Sequence, residues 1–120
     1  MKTVTLHDGR QVDSSSEEWR HECEAIALLK MPLTERKKHL QAVEGRRGIP
    51  ARQQLQVTLM ALWINQQGDR LAAMDQDERE WRVQQLARDN KEHIMRRIMA
   101  RMGEKAAAND NNQADMFGTV

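Results

Sequence analysis

The chain has 120 residues, of which 39% are hydrophobic and 31% charged, with a net charge of +1. That length suits one domain, and the near-neutral balance argues against a surface that binds nucleic acid all over. No apolar run is long enough to cross a membrane, no start resembles a signal peptide, and the lone Cys23 excludes an internal disulfide, so the expectation is a cytoplasmic protein with no membrane contact. Aromatic content is 3% against 8 methionines, and a Met-rich core specifies its packing weakly, which predicts modest stability or a homo-oligomer.

The expected fold is mainly α: a small helical domain over residues 1–105, opened by a short β-hairpin, with a disordered C-terminal tail over 106–120. The hairpin falls on 3–12, where β-prone runs flank Asp8-Gly9, a two-residue turn in which both positions take positive φ. Alone it is marginal in water, so it must lie on the helices or on a second copy. Ser14 with Glu17, or Ser15 with Glu18, offers a capping box for the first helix. Trp19, Cys23 and Ile26 recur at helical spacing as its inward stripe, which makes Cys23 a core thiol and leaves Glu17, Glu18, Glu22 and Glu24 on a solvated face.

Pro32 ends that helix, Thr34 caps a second through about Val43, and Gly45-Arg46-Arg47-Gly48 breaks it. Pro50 suits the first turn of a third helix, the most apolar segment, which Gly68 ends or loosens. Asp75 with Glu78 caps a long amphipathic helix over roughly 76–102, with Trp81, Val83, Leu86, Ile94 and Ile98 on its stripe and Gly103 as C-cap. No internal repeat is evident. Ala106 to Asn112 has no apolar period and reads as a solvated linker.

After the linker comes Gln113-Ala114-Asp115-Met116-Phe117, which holds the only Phe of the chain. Two adjacent bulky apolar residues gain nothing in water, whereas in a pocket each contributes about 1.5–3 kcal/mol. The alternative is that they fold back onto the helices. The pentapeptide resembles the bacterial sliding-clamp-binding motif: Gln, any residue, Ser or Asp, Leu or Met, then Phe. The resemblance implies a partner, the DNA sliding clamp (β subunit) of a bacterial host cell. It implies Gln113 as the polar anchor at the pocket edge, Met116 and Phe117 as plugs, Asp115 at the small acidic or hydroxyl position, and Ala114 where Leu is commoner. The stretch Asp8–Asp13, with Glu17-Glu18-Trp19-Arg20-His21-Glu22-Cys23-Glu24-Ala25 and the later Ala61-Leu62-Trp63, resembles small phage and prophage proteins of unknown function, which implies a phage origin.

Other chemistry is sparse. His7, His21 and Cys23 lack zinc-type spacing, and no phosphate loop or nucleophile motif appears, so no metal, cofactor or enzymatic activity is expected. The basic clusters Arg46, Arg47, Arg52 and Arg96, Arg97, Arg101 are candidate, weak contacts to DNA phosphates; ordinary surface charge is the alternative. The rival function places the activity in the helical body, as a DNA- or protein-binding accessory factor or an inhibitor of a host defence complex.

Overall fold

A computed structural model describes residues 2–117, with side chains over 2–108. The element order is β1 (Thr3–Thr5), β2 (Gln11–Asp13), α1 (Glu17–Lys30), α2 (Leu33–Arg47), α3 (Ile49–Ala73), α4 (Gln76–Asp89) and α5 (Glu92–Phe117). The mainly helical fold with an N-terminal antiparallel hairpin is as the sequence predicts. The chain divides into two compact units, Met1–Trp63 and Ile64–Val120, and the division falls inside α3.

In unit 1 the hairpin pairs Val4 with Val12, but its turn differs from expectation. Gly9 N–H donates to the Leu6 carbonyl (3.0 Å) and Leu6 N–H to the Arg10 carbonyl (2.8 Å), leaving a three-residue loop. Gly9 alone takes positive φ (90°), the geometry of a type I turn closed by a glycine bulge. Asp8 stays in ordinary φ because its carboxylate accepts from Arg10 N–H (3.1 Å) and Nε (2.8 Å). Leu6 is buried, and the hairpin packs through β2 on α1.

Helix α1 is capped by Ser16, whose hydroxyl accepts from Trp19 N–H at 3.2 Å. Neither expected capping box forms, because Ser14 N–H extends the hairpin ladder to the Lys2 carbonyl and Ser15 bonds Asp13. The buried stripe of α1 is Glu22, Ala25 and Leu28, so the helix is turned from the predicted face. Cys23 is exposed, Trp19 and Ile26 are half-buried, and Glu22 is buried rather than solvated. The cause is non-local: Ala25 and Leu28 meet Leu40, Val43, Leu55 and Leu59 in one core cluster.

Met31 and Pro32 leave helical geometry, as a residue before proline tends to, and α2 starts with no side-chain cap. Arg36 closes the other side of this junction, donating to the Leu28 and Leu29 carbonyls at the end of α1 (3.0 Å each). Helix α2 runs past Val43 through Gly45 and stops at Gly48, whose φ of 94° disfavours any other residue.

Gly68 neither ends nor loosens α3. A Cβ there would lie 2.6 Å from the Arg101 Cβ and Cγ and 3.0 Å from the Ile98 carbonyl oxygen, so glycine is what lets α5 approach α3 within unit 2. Asp75 caps α4 through Glu78 N–H (2.9 Å), as expected. The long helix over 76–102 is two helices: Asn90 is extended (φ −129°, ψ 150°) and its amide donates to the Leu86 carbonyl. Trp81 is 62% exposed instead of inward. Among the described residues, those buried in unit 2 are Ile64, Gln67, Gly68, Leu71, Leu86 and Ile98. Helix α5 continues through Gly103 and Ala106–Ala108, since alanines favour helix and one exposed glycine costs only about 1 kcal/mol. The flexible tail expected further on falls on residues whose side chains lie outside the described residues.

The two units repeat one plan, which corrects the reading of no internal repeat. Positions about 43 apart correspond, a period in the range of helical repeats. Leu28 and Leu71, Val43 and Leu86, and Leu55 and Ile98 are all buried. Ala25 corresponds to Gly68. Met31 N–H closes on Leu28 (3.1 Å) as Met74 N–H closes on Leu71 (3.2 Å). Arg79 donates to the Leu71, Ala72 and Met74 carbonyls (2.9, 3.4 and 3.1 Å), as Arg36 does to those of Leu28, Leu29 and Met31.

Candidate functional site

The side chains of Gln113, Ala114, Asp115, Met116 and Phe117 lie outside the described residues, so their peptide rests on its sequence alone. Among the basic residues, Arg47 grips Glu24 with both terminal nitrogens (3.2 and 2.7 Å) and Arg52 meets Glu44 at 2.6 Å. Arg101 meets Asp69 through Nε at 2.7 Å, with a second contact at 3.3 Å. These guanidiniums already hold carboxylates, and a phosphate would have to displace them. Arg96 lies 3.5 Å from Glu92, both exposed, an arrangement worth little. Arg46 and Arg97 are exposed and make no ion pair among the described residues.

What sequence reasoning missed is an open cleft of about 730 Å³ in unit 1. The hairpin, α1, the end of α2 and the first half of α3 contribute to its lining. At its floor the Glu22 carboxylate, 5% exposed, accepts from the backbone N–H of His7 (2.9 Å) and pairs with His7 Nδ1. His21 Nε2 lies 2.7 Å from the hydroxyl of Thr58, which is also buried. On the wall, Glu24 takes Arg47 and, at 3.2 Å, His39 Nε2. Its pKa is held below the ordinary glutamate range, by the Arg47 hydrogen bond first and against the opposing effect of burial. The same bond raises the Arg47 pKa further. Glu17 and Arg20 pair at 3.1 Å on the exposed rim.

The repeat gives the cleft its meaning. His21, Glu22 and Glu24 correspond to Ile64, Asn65 and Gln67 in unit 2, and Thr58 to Arg101. The helical plan is thus built equally well with an isoleucine and two amides at these α1 positions. A carboxylate buried against a histidine is costly to desolvate and is not demanded by the scaffold. The one signal in the sequence was the pairing of His21-Glu22 with a hairpin that brings His7, and no spacing rule relates them.

Among the described residues, no group of three or more His, Cys, Asp or Glu is placed to hold a metal ion, and no helix is long and apolar enough to cross a membrane. The profile of a family of unknown function (DUF7696) matches residues 12–65. That span carries β2, α1, α2 and the first half of α3, and so most of the cleft, but not α4 or α5. No curated protein and no solved structure matches the chain.

Proposed function

We propose that the protein is a phage accessory factor that binds the sliding clamp of its bacterial host through Gln113–Phe117, tethering itself to replicating DNA or excluding host polymerases. The observation that carries this reading is the pentapeptide Gln-Ala-Asp-Met-Phe following the Asn-rich stretch 109–112. Met116 and Phe117 in a clamp pocket contribute about 3–6 kcal/mol together. Ordering five residues costs several kcal/mol against this. A single peptide therefore binds at about the micromolar level, with Gln113 and backbone contacts adding their share.

Calorimetric titration of clamp with the full chain tests this, with a known clamp peptide as competitor. Met116→Ala with Phe117→Ala abolishes binding and leaves the helical circular dichroism unchanged, while Gln113→Ala weakens it less. Binding that survives the double change, or none well above micromolar, refutes the reading. The cleft of unit 1 favours a second one, in which the body binds DNA or a host protein. A pull-down from host lysate separates the two: a clamp band lost on tail truncation selects the first, and bands that depend on Glu22 or His21 select the second.

A further inference from the structure

Helix α2 of unit 1 presents an outward stripe of Thr34, Lys37, Lys38, Gln41 and Gly45, all exposed. Their repeat counterparts on α4 of unit 2 are Asp77, Glu80, Trp81, Gln84 and Arg88, also all exposed. Steps of three and four place each set on one helix face. The two faces share their spacing and carry opposite chemistry. Lys37 corresponds to Glu80, Lys38 to Trp81, Thr34 to Asp77, and Gln41 to Gln84. Neither lysine, nor Asp77 or Glu80, makes an ion pair among the described residues. An exposed indole beside two carboxylates is a surface that suits an ammonium group: the ring face attracts the cation, the acids neutralise it, and the lysine stem covers the ring.

We propose that the occupant of the Trp81 stripe is a second copy of this chain, the α2 stripe of one copy docking on the α4 stripe of the next. The charge complementarity is internal to the sequence. Both helices are set by the same buried residue (Val43 or Leu86) and the same arginine staple (Arg36 or Arg79), so the stripes match in length and step. Repeat units characteristically bury the equivalent faces of their neighbours. Because the two stripes differ, each contact joins an α2 stripe to an α4 stripe, whether in a reciprocal pair or in an open chain of copies. A single helix pair buries less than a standard interface of about 1,600 Å², so the association is weak and screened by salt.

The test is sedimentation equilibrium of the full chain from micromolar to millimolar concentration at low and high salt. The weight-average mass rises with concentration at low salt and falls back in high salt. Lys37→Glu with Lys38→Glu, and separately Asp77→Lys with Glu80→Lys, each lower the association constant by about tenfold or more. An equimolar mixture of these two variants associates again, because each now carries what the other lost. Trp81→Ala weakens association several-fold with charge unchanged. All substituted side chains are exposed, and circular dichroism verifies that each variant is folded. A chain that stays monomeric at low salt, a mixture that fails to re-associate, or association indifferent to Trp81→Ala overturns the proposal.

Discussion

Where unit 1 places His21, Glu22 and Glu24, unit 2 places Ile64, Asn65 and Gln67; where unit 1 buries Leu28, Val43 and Leu55, unit 2 buries Leu71, Leu86 and Ile98. One set of positions tolerates a change from apolar and amide to charged. The other holds a fixed apolar pattern. The invariant set makes the fold: an inward leucine near a helix end, an arginine that closes that end onto the next helix, and one apolar residue from each following helix. The variable set lines the cleft, and only unit 1 adds a hairpin that brings His7 onto Glu22. Chemistry has been added to a plan that stands without it.

The sharpest way to break the equivalence is at its centre. Leu28→Ala and Leu71→Ala each remove a fully buried side chain and should each cost about 2–5 kcal/mol in urea unfolding. A cost below 1 kcal/mol at either site would end the correspondence. The tightest helix contact gives the next effect. Gly68→Ala forces a methyl against the Arg101 stem and the Ile98 carbonyl oxygen and should destabilise by about 1–3 kcal/mol despite the better helix propensity of alanine. The counterpart exchange, Ala25→Gly, should cost only about 1 kcal/mol.

The arginine staples come third. Arg36→Ala and Arg79→Ala each free carbonyls at a helix end and should each cost about 1–2 kcal/mol, with lysine restoring only part because it cannot fork across them. Markedly unequal losses, read from the two urea midpoints, would show that one closure is incidental.

The hairpin, the helix starts at Pro50 and Asp75, and the helical class were legible because their signals are local. The repeat was not. Its identities are few, chiefly Leu28/Leu71, Met31/Met74, Glu35/Glu78 and Arg36/Arg79, and the boundary between units falls inside α3, where no break in the sequence marks it. The inward face of α1 was misread because two apolar faces compete there. Trp19, Cys23 and Ile26 form one, Ala25, Leu28 and Leu29 the other, and only contacts with α2 and α3 decide between them. Gly68 and Gly103 looked like helix ends, but glycine also serves where a neighbour comes close or where an exposed turn can bear its cost. The cleft escaped because its key pair, His7 with Glu22, is made by the hairpin folding back on α1. Cys23 should accordingly react with a thiol reagent in the native protein at close to the rate of the unfolded chain, the opposite of what the Trp19 stripe implied.

Two substitutions in the cleft have smaller effects and separate structure from specialised chemistry. Glu22→Gln keeps an acceptor for the His7 N–H while removing a buried charge, so the saved desolvation offsets the weaker bond and stability should change by less than about 1 kcal/mol. Glu22→Ala should cost more, about 1–3 kcal/mol, by leaving that N–H unpaired. Equal, large losses for both would make the carboxylate part of the scaffold.

The smallest effect concerns pH. The Glu24 pKa is depressed in the folded protein, by the Arg47 hydrogen bond first and His39 second. A depressed carboxylate stabilises the fold fully above its unfolded pKa, and the contribution disappears as pH falls through the lower, folded value. Unit 1 should therefore lose a little stability on acidification below the ordinary glutamate range, and none of this loss should occur between neutral pH and that range. Glu24→Gln should flatten this part of the acid limb, measured as thermal midpoint against pH, and Arg47→Gln should flatten it nearly as much because the depression comes mainly from that partner. The position has a built-in control, since unit 2 carries the uncharged Gln67 where unit 1 carries Glu24. Gln67→Glu should create a comparable acid-sensitive contribution even though Asn90 stands where unit 1 has Arg47, because Arg82, at the position of His39, already donates to the Gln67 side-chain oxygen at 3.4 Å. An acid limb unchanged by Glu24→Gln would show that the pair is an exposed contact of no energetic consequence, as surface ion pairs often are.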